Sequence, residues 1–420
     1  MDASPRVLRP NRAQLELRPT DLESLLPEDH RARAVWEFVE GLDLTPLYER
    51  IRSVEGHAGR PAIDPAILMA LWLYATVEGV GSARALARLC EQHDAYRWIC
   101  GGVSVNAHTL SDFRVAHESV LDEFLTRSVA RLMEAGLVTL RRVAQDGMRV
   151  RASAGAASFR RRTRLREFEK EARQQVEALR RELDADPAAT SRREAEARLR
   201  AAKERQARVK RALAEMPAVE AKKPEDEKPE ARVSTTDPEA RVMRMADGGY
   251  RPAYNVQLAT DTAAQVIVGV EVTNAGSDQG QLEPMLDQLD ERYEAAPRDA
   301  LVDGGFINLE GIARITARGC RVYGPVPTPR DPDRNRHRPL PNDLPAVAAW
   351  RRRMGRQTAK TIYKLRAATA ECVNAIARNR GLHQLPVRGR RKVRTVLLWF
   401  ALAHDMMREI TLRAAACEAT

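Results

Sequence analysis

Aromatic side chains are scarce: Phe, Trp and Tyr make up 5% of the 420 residues. That argues against the base-stacking platforms of single-strand-binding proteins. Cysteine is sparse too, and the five, at 90, 100, 320, 372 and 417, include no CxxC pair. A zinc ribbon and a redox dithiol are therefore unsupported. An odd, scattered set points to buried thiols in a reducing compartment. No apolar run reaches the roughly 18 residues of a membrane span; Ala66 to Ala75 comes nearest. The first twenty residues, with Asp2, Arg6, Arg9 and Arg12, lack the apolar stretch of a signal peptide. A soluble, cytoplasmic protein without a membrane partner is expected.

What the chain does have is positive charge. Lys and Arg total 69 against 58 Asp and Glu, a net charge of +11, which suits a polyanionic partner. With so few aromatics, Arg contacts to the phosphates of a duplex are the expected use.

Residues 1–20 read as a flexible basic arm. From 21 to 136 the pattern is helical, with short turns. Asp64-Pro65 is an N-cap followed by Pro at the first helical position. The nearly all-apolar run after it predicts a buried helix stopped by Gly79, and Ser82 caps the next. Thr109 to Asp112 has capping-box spacing. Arg84, Arg88 and Arg114 on these helices either dock on DNA or form an ordinary solvated basic face.

After Gly136 the period changes to that of strands. Val138 to Asp146 alternates and ends on a carboxylate beside Gly147, a combination that suits a metal ligand closely approached by a phosphate. Residues 155–230 read as an insertion. Leu165, Phe168, Ala172, Val176, Leu179 and Leu183 recur at three-and-four spacing. Leu199, Ala202, Val209, Leu213 and Met216 repeat the pattern beyond the break at Asp186-Pro187, giving a coiled-coil hairpin. Its exit, 217–235, is rich in charge and Pro and reads as a disordered loop. Residues 231–420 rejoin 137–154: a hairpin at 254–272, a helix, then a short buried strand ending on Asp303 before Gly304-Gly305. A long helix over Tyr363 to Arg378 carries Glu371 with Asn374 and Arg378 on one side, by the 3.6-residue period. Gly389 to Arg394 is a dense basic cluster before a final apolar helix.

Four segments together resemble a bacterial insertion-sequence transposase of the DDE class, in the branch with a Tyr-Arg-Glu-Lys signature. They are Gly59 to Arg114, Gln145-Asp146-Gly147, Val302-Asp303-Gly-Gly-Phe306, and Tyr363, Arg366, Glu371 and Arg378 followed by Arg388-Gly389. Two departures stand out. One extra residue separates Arg366 from Glu371, and Arg378 replaces the Lys, keeping the charge but not the compact ammonium.

The resemblance implies an α+β or α/β architecture: a helical N-terminal, DNA-binding domain and an RNase H-like catalytic domain interrupted by the coiled-coil insertion. It implies that Asp146 and Asp303 lie on neighbouring strands, with the helix of Glu371 packed across them. These three carboxylates would be catalytic and would hold two Mg²⁺ ions, with Mn²⁺ as a possible substitute. Asp146 would bridge the ions, and Asp303 and Glu371 would hold one each. DNA contacts fall to Tyr363, Arg366, Arg378, Arg388, Arg390, Arg391 and Lys392, and to Arg84, Arg88 and Arg114. The implied activity is Mg²⁺-dependent cleavage at insertion-sequence ends followed by strand transfer, by a homo-oligomer on terminal inverted repeats and target DNA in the bacterial nucleoid. Two alternatives stay open: a non-catalytic, domesticated DNA-binding relative, and an RNase H-like nuclease without strand transfer.

Overall fold

The computed structural model describes residues 21–53, 61–185, 192–331 and 333–418. The expected basic arm at 1–20, and the break at Asp186-Pro187 with Ser191, lie outside the described residues. Helices come first: α1 (Arg31–Glu40), α2 (Thr45–Tyr48), α3 (Pro65–Val77), α4 (Ala83–Gln92), α5 (Asp94–Cys100), α6 (Ala107–Ala116) and α7 (Glu118–Glu134). Asp64 and Ser82 cap α3 and α4 through their side chains. At α6 the cap is Asn106 rather than Thr109. Its carboxamide accepts from the Thr109 N–H at 2.9 Å, so Thr109 is already in the first turn.

A mixed sheet follows. The strands are β1 (Arg142–Arg151), β2 (Phe159–Arg161), β3 (Arg232–Ser234), β4 (Arg241–Arg244), β5 (Tyr250–Asp261), β6 (Ile267–Thr273), β7 (Asp299–Leu301) and β8 (Arg321–Tyr323). The order β4-β5-β1-β7-β8 runs across the sheet, and β6 also pairs with β5. β5 is antiparallel to β1, β4 and β6, whereas β7 is parallel to β1 and β8 to β7. Asp146 does not end its strand. β1 continues through Gly147 to Arg151, paired with β5 throughout. What ends nearby is the parallel neighbour.

Between β1 and β4 the chain leaves the sheet as α8 (Arg162–Ala185) and α9 (Arg192–Glu220). Leu165, Ala212 and Met216 pack at the base of this hairpin with Ala231 and Val233, and Val176, Leu199 and Ala202 pack farther out. The expected loop at 217–235 is instead structured. A 3₁₀ helix spans Glu225–Glu230, and β3 pairs with β2 to close the base. Two buried apolar side chains and a ladder outweigh the charged composition.

The remaining helices are α10 (Leu282–Tyr293), α11 (Leu309–Ala317), α12 (Pro345–Met354), α13 (Gln357–Arg366), α14 (Cys372–Asn379) and α15 (Arg390–Glu418). One core lies between α10, α11 and α12 and the β7–β8 side of the sheet, where Ala144, Leu286, Val302, Ile312 and Trp350 are buried. The larger core joins the N-terminal helices, α15 and the rest of the sheet. Thus α15, with Val393 to Met406 almost wholly buried, belongs to both halves of the molecule. The cysteines are not uniformly buried: Cys100 and Cys320 are, but Cys372 and Cys417 are exposed.

Candidate active site

The sheet register brings two of the carboxylates together. Ala144 pairs with Leu301 in the parallel β1–β7 ladder. Two residues farther along each chain come Asp146 and Asp303, side by side where the ladder has ended. Asp303 opens a 3₁₀ turn, its Oδ1 accepting from the Gly305 N–H at 2.7 Å.

The third carboxylate arrives on an irregular helix. The expected single long helix is three pieces: α13 ends at Arg366, a π-helical turn spans Ala367–Glu371, and α14 begins at Cys372. A π turn bonds five residues apart and accommodates one more residue than an α turn. The extra residue between Arg366 and Glu371 is absorbed there, and the two side chains meet at 2.6 Å although five positions apart. On an unbroken α-helix, five positions is a rotation of about 140° from face to face.

Arg366 is where all three acids converge. Its Nη2 lies 3.2 Å from Asp146 Oδ1 and 3.9 Å from Asp303 Oδ2, and its Nη1 binds Glu371 Oε1. The guanidinium side chain is 11% exposed, Asp146 is 14%, Asp303 38% and Glu371 54%. The site therefore has a buried floor at Asp146 and an open rim at Glu371. Burial pushes the Asp146 carboxyl up from its ordinary range, the Asp303 charge adds to this, and Arg366 opposes it. Burial acts to lower the Arg366 pKa, but the surrounding acids, Asp146 foremost, hold it above the usual value. Tyr363 sits beside them, its phenol pKa raised by burial.

Asn374, buried on α14, donates to Asp146 Oδ2 at 2.9 Å, and its own Oδ1 has no partner. It fixes the second oxygen of Asp146, while Gly147 N–H binds the first. The sequence placed Asn374 on the Glu371 side of the helix, but nothing in a periodicity marks it as a ligand holder.

Asp278 carried no sequence signal at all. Successive β1 side chains alternate between faces. Asp146 points toward α13 and α14, whereas Gln145, Gly147 and Arg149 face the segment 276–281. There Asp278 is buried, accepting from Asn255 at 2.7 Å and Gln257 at 2.8 Å, and pairing with Arg149 at 3.2 Å. A Cβ on Gly147 would fall 2.0 Å from Asp278 Oδ1. The glycine after Asp146 thus makes room for a carboxylate beneath the strand, not for an approaching phosphate. Asp278 also lies near the turn that follows the second acid: a Cβ on Gly305 would have Asp303 Oδ1 at 3.1 Å and Asp278 Oδ2 at 3.5 Å.

Two stretches match known families: residues 20–116 match the family described as "Transposase domain (DUF772)", and residues 226–406 the "Transposase DDE domain". The chain carries a transposase DDE domain. Its DDE domain is an enzyme domain, and its function is DNA transposition. The second match contains Asp303 and Glu371 but starts beyond Asp146, and the hairpin of α8 and α9 lies between β1 and that start. Comparison with curated proteins and with solved structures returned no match. The helical N-terminal region and the mixed sheet of the transposase are consistent with an RNase H-like DDE domain.

The other basic residues singled out from the sequence of the transposase are spread more widely. Arg84, Arg88, Arg378, Arg388, Arg390 and Lys392 are exposed, and none has an ion-pair partner among the described residues. Arg391 is bound to Glu118 at 2.9 Å. Arg114 is the exception to a surface role: it is 7% exposed, stacked over Trp72, with Nη1 donating to the Gly81 carbonyl.

DDE transposases generally depend on divalent metal, and the donor set here fits such an ion. Carboxylate oxygens are the ligands that Mg²⁺ and Mn²⁺ prefer, and three meet at one cation. Among the described residues no three His, Cys, Asp or Glu side chains are arranged to hold a metal directly. The guanidinium stands between them. No helix among the described residues is long and apolar enough to cross a membrane.

Proposed function

We propose that Asp146, Asp303 and Glu371 are the catalytic carboxylates of this transposase, acting on an RNase H-like domain to cut DNA at insertion-sequence ends and join it to a target. The observation that carries this reading is the convergence of all three on Arg366. The strand order supports it: in β6-β5-β1-β7-β8 an antiparallel hairpin lies beside three mutually parallel strands, and the acids emerge beside each other.

Two Mg²⁺ ions, or Mn²⁺ in their place, would supply the positive charge that activates water or a DNA 3′-hydroxyl and stabilises the leaving oxygen. Asp146, the deepest of the three and fixed at both oxygens, would hold them together with Asp303 and Glu371. Arg366 offsets the mutual repulsion of the acids, and its Nε, buried without a partner, is a spare donor for a scissile phosphate. Tyr363 lies beside that point, and exposed Arg378, two turns beyond Glu371, would contact DNA farther out. The unpaired Arg84, Arg88, Arg388, Arg390 and Lys392 extend the phosphate contacts along a duplex. We assign the helical region 21–136 to DNA binding and the halves 137–154 and 231–420 to catalysis by a homo-oligomer on terminal inverted repeats.

The test is cleavage of the flanking DNA of its own element by purified protein, with and without Mg²⁺. Asp146→Asn is expected to abolish cleavage while sparing DNA binding in a gel shift. Wild-type cleavage by that variant would refute the assignment.

A further inference from the structure

A cavity of about 670 Å³ opens between the N-terminal helices and the chain leaving α14. Its walls come from α3, the turn at Gly79–Ser82, α6, the segment 380–386 and α15. On one side it is closed where two glycine turns touch. Gly79 (φ +74°) and Gly381 (φ +89°) lie so close that a Cβ on the first would be 3.5 Å from Arg380 Cα, and on the second 3.4 Å from the Gly79 carbonyl oxygen.

The charge of this cavity is one-sided. Arg84, Arg114, Arg380, His108 and His383 line it, and among the described residues no Asp or Glu does. The adjoining hollow of about 560 Å³, which shares Arg114, is different: it mixes Arg208, Arg211 and Arg388 with Asp237, Glu215 and Glu239. Arg114 is buried with its Nε unpartnered, and the Nη1 of Arg380 is buried and unpartnered too. Neither has a carboxylate at ion-pair distance among the described residues. Burial lowers the Arg114 pKa to about 10 and lowers that of Arg380 as well. A buried guanidinium beside a half-buried one, each with a free donor and no acid, is costly unless an anion completes the pair. The volume lies within the range of small-molecule pockets, more than one phosphate group needs. Trp72 and Trp399 are nearly wholly buried and donate their ring N–H groups to the Leu110 and Arg114 carbonyls, so they form a rigid floor rather than a free stacking face.

The cavity is tied to the catalytic strand. Arg151, at the end of β1, donates to the His383 carbonyl at 3.3 Å and accepts from Leu385 N–H at 2.8 Å. Arg151 lies five residue steps along the strand from Asp146, about 17 Å, which is roughly five nucleotide steps.

We propose that this cavity is a nucleotide-binding site that takes up one unpaired nucleotide of the DNA held by the enzyme, with its phosphate on Arg114 and Arg380. The proposal rests on DNA being held across the Asp146 site, and its test is independent of cleavage. Full-length protein is titrated in EDTA with a blunt duplex, with the same duplex bearing a three-nucleotide overhang, and with a deoxynucleoside monophosphate alone. Arg84→Gln and Arg380→Gln are used because both side chains reach solvent, and each variant is checked for an unchanged melting temperature.

The expected result is tighter binding of the overhang than of the blunt duplex, with Arg380→Gln losing about tenfold on the overhang and little on the blunt end. Asp146→Asn should keep the overhang preference, which separates failure here from failure of the catalytic assignment. Equal affinities for overhang and blunt duplex in wild type and both variants would overturn the proposal. So would tight binding of the monophosphate without an overhang preference, which would make the site one for a free nucleotide.

Discussion

Arg366 occupies the centre of the site, and its removal separates two roles. Without it, Asp146 keeps its burial and the repulsion of Asp303 but loses its nearest cation. A buried carboxylate stripped of its partner costs roughly 3–5 kcal/mol, and the partial exposure of Asp303 and Glu371 reduces that here. Arg366→Ala should lower the melting temperature in EDTA, and Mg²⁺ should restore much of the loss by supplying the missing charge. A melting temperature that ignores Mg²⁺ would mean the acids do not share an ion. Gly147→Ala tests the opposite face of β1. With Asp278 Oδ1 only 2.0 Å from the new Cβ, overpacking should cost about 1–3 kcal/mol in a urea melt, and Asp278→Ala in the same chain should relieve it. At this scale the sequence showed the acids but not their neighbours. Asp146 and Asp303 stood out beside glycines, whereas Asp278 is chosen by a strand register that places it under Gly147. No spacing along the chain encodes that.

The helix carrying Glu371 was only partly legible for a related reason. Residues such as Ala367 and Ala368 suit an α-helix and a π turn alike, so a 3.6-residue period cannot detect the change of pitch. The departure in spacing between Arg366 and Glu371 was visible, and the π turn is its structural counterpart. Deleting the exposed Ala367 should convert the turn into continuous α-helix and leave Glu371 four positions after Arg366, still in reach. Cleavage should persist at a substantial fraction of wild type. Inserting a further Ala at the same point should carry Glu371 about 100° around the helix and abolish cleavage. Loss as complete in the deletion as in Asp146→Asn would show that the π turn itself is needed. The coiled-coil repeats, by contrast, were read from spacing because their packing is local. Its structured exit was missed because Ala231 and Val233 are buried by partners on α8 and α9, distant in sequence.

Across the whole molecule, α15 binds the N-terminal helices to the sheet. Trp399 donates to the Arg114 carbonyl, Arg394 pairs with Glu118 and Asp122 of α7, and Asp405 accepts from Ile267 N–H of β6. Next to it, His404 is buried against the Gln265 carbonyl, and burial lowers its pKa from 6.5 to about 4. The unfolded chain then binds the proton more readily, so stability is full above pH 6.5 and falls as the pH drops toward about 4. Buried Asp405, raised by desolvation, works in the opposite sense. His404→Gln should isolate the histidine: its unfolding midpoint relative to wild type should rise as the pH is lowered from 7 to 4. The apolar run of α15 was plain in the sequence, but its role as a shared core between two regions was not. The claim on which the rest depends is that three acids, distant along the chain, serve one divalent-ion site. Calorimetric titration of Mn²⁺ into the protein on its DNA tests it most directly. Two ions per chain are expected for the wild type, with binding lost or reduced in each of Asp146→Asn, Asp303→Asn and Glu371→Gln. Wild-type Mn²⁺ binding by any one of the three would contradict the account.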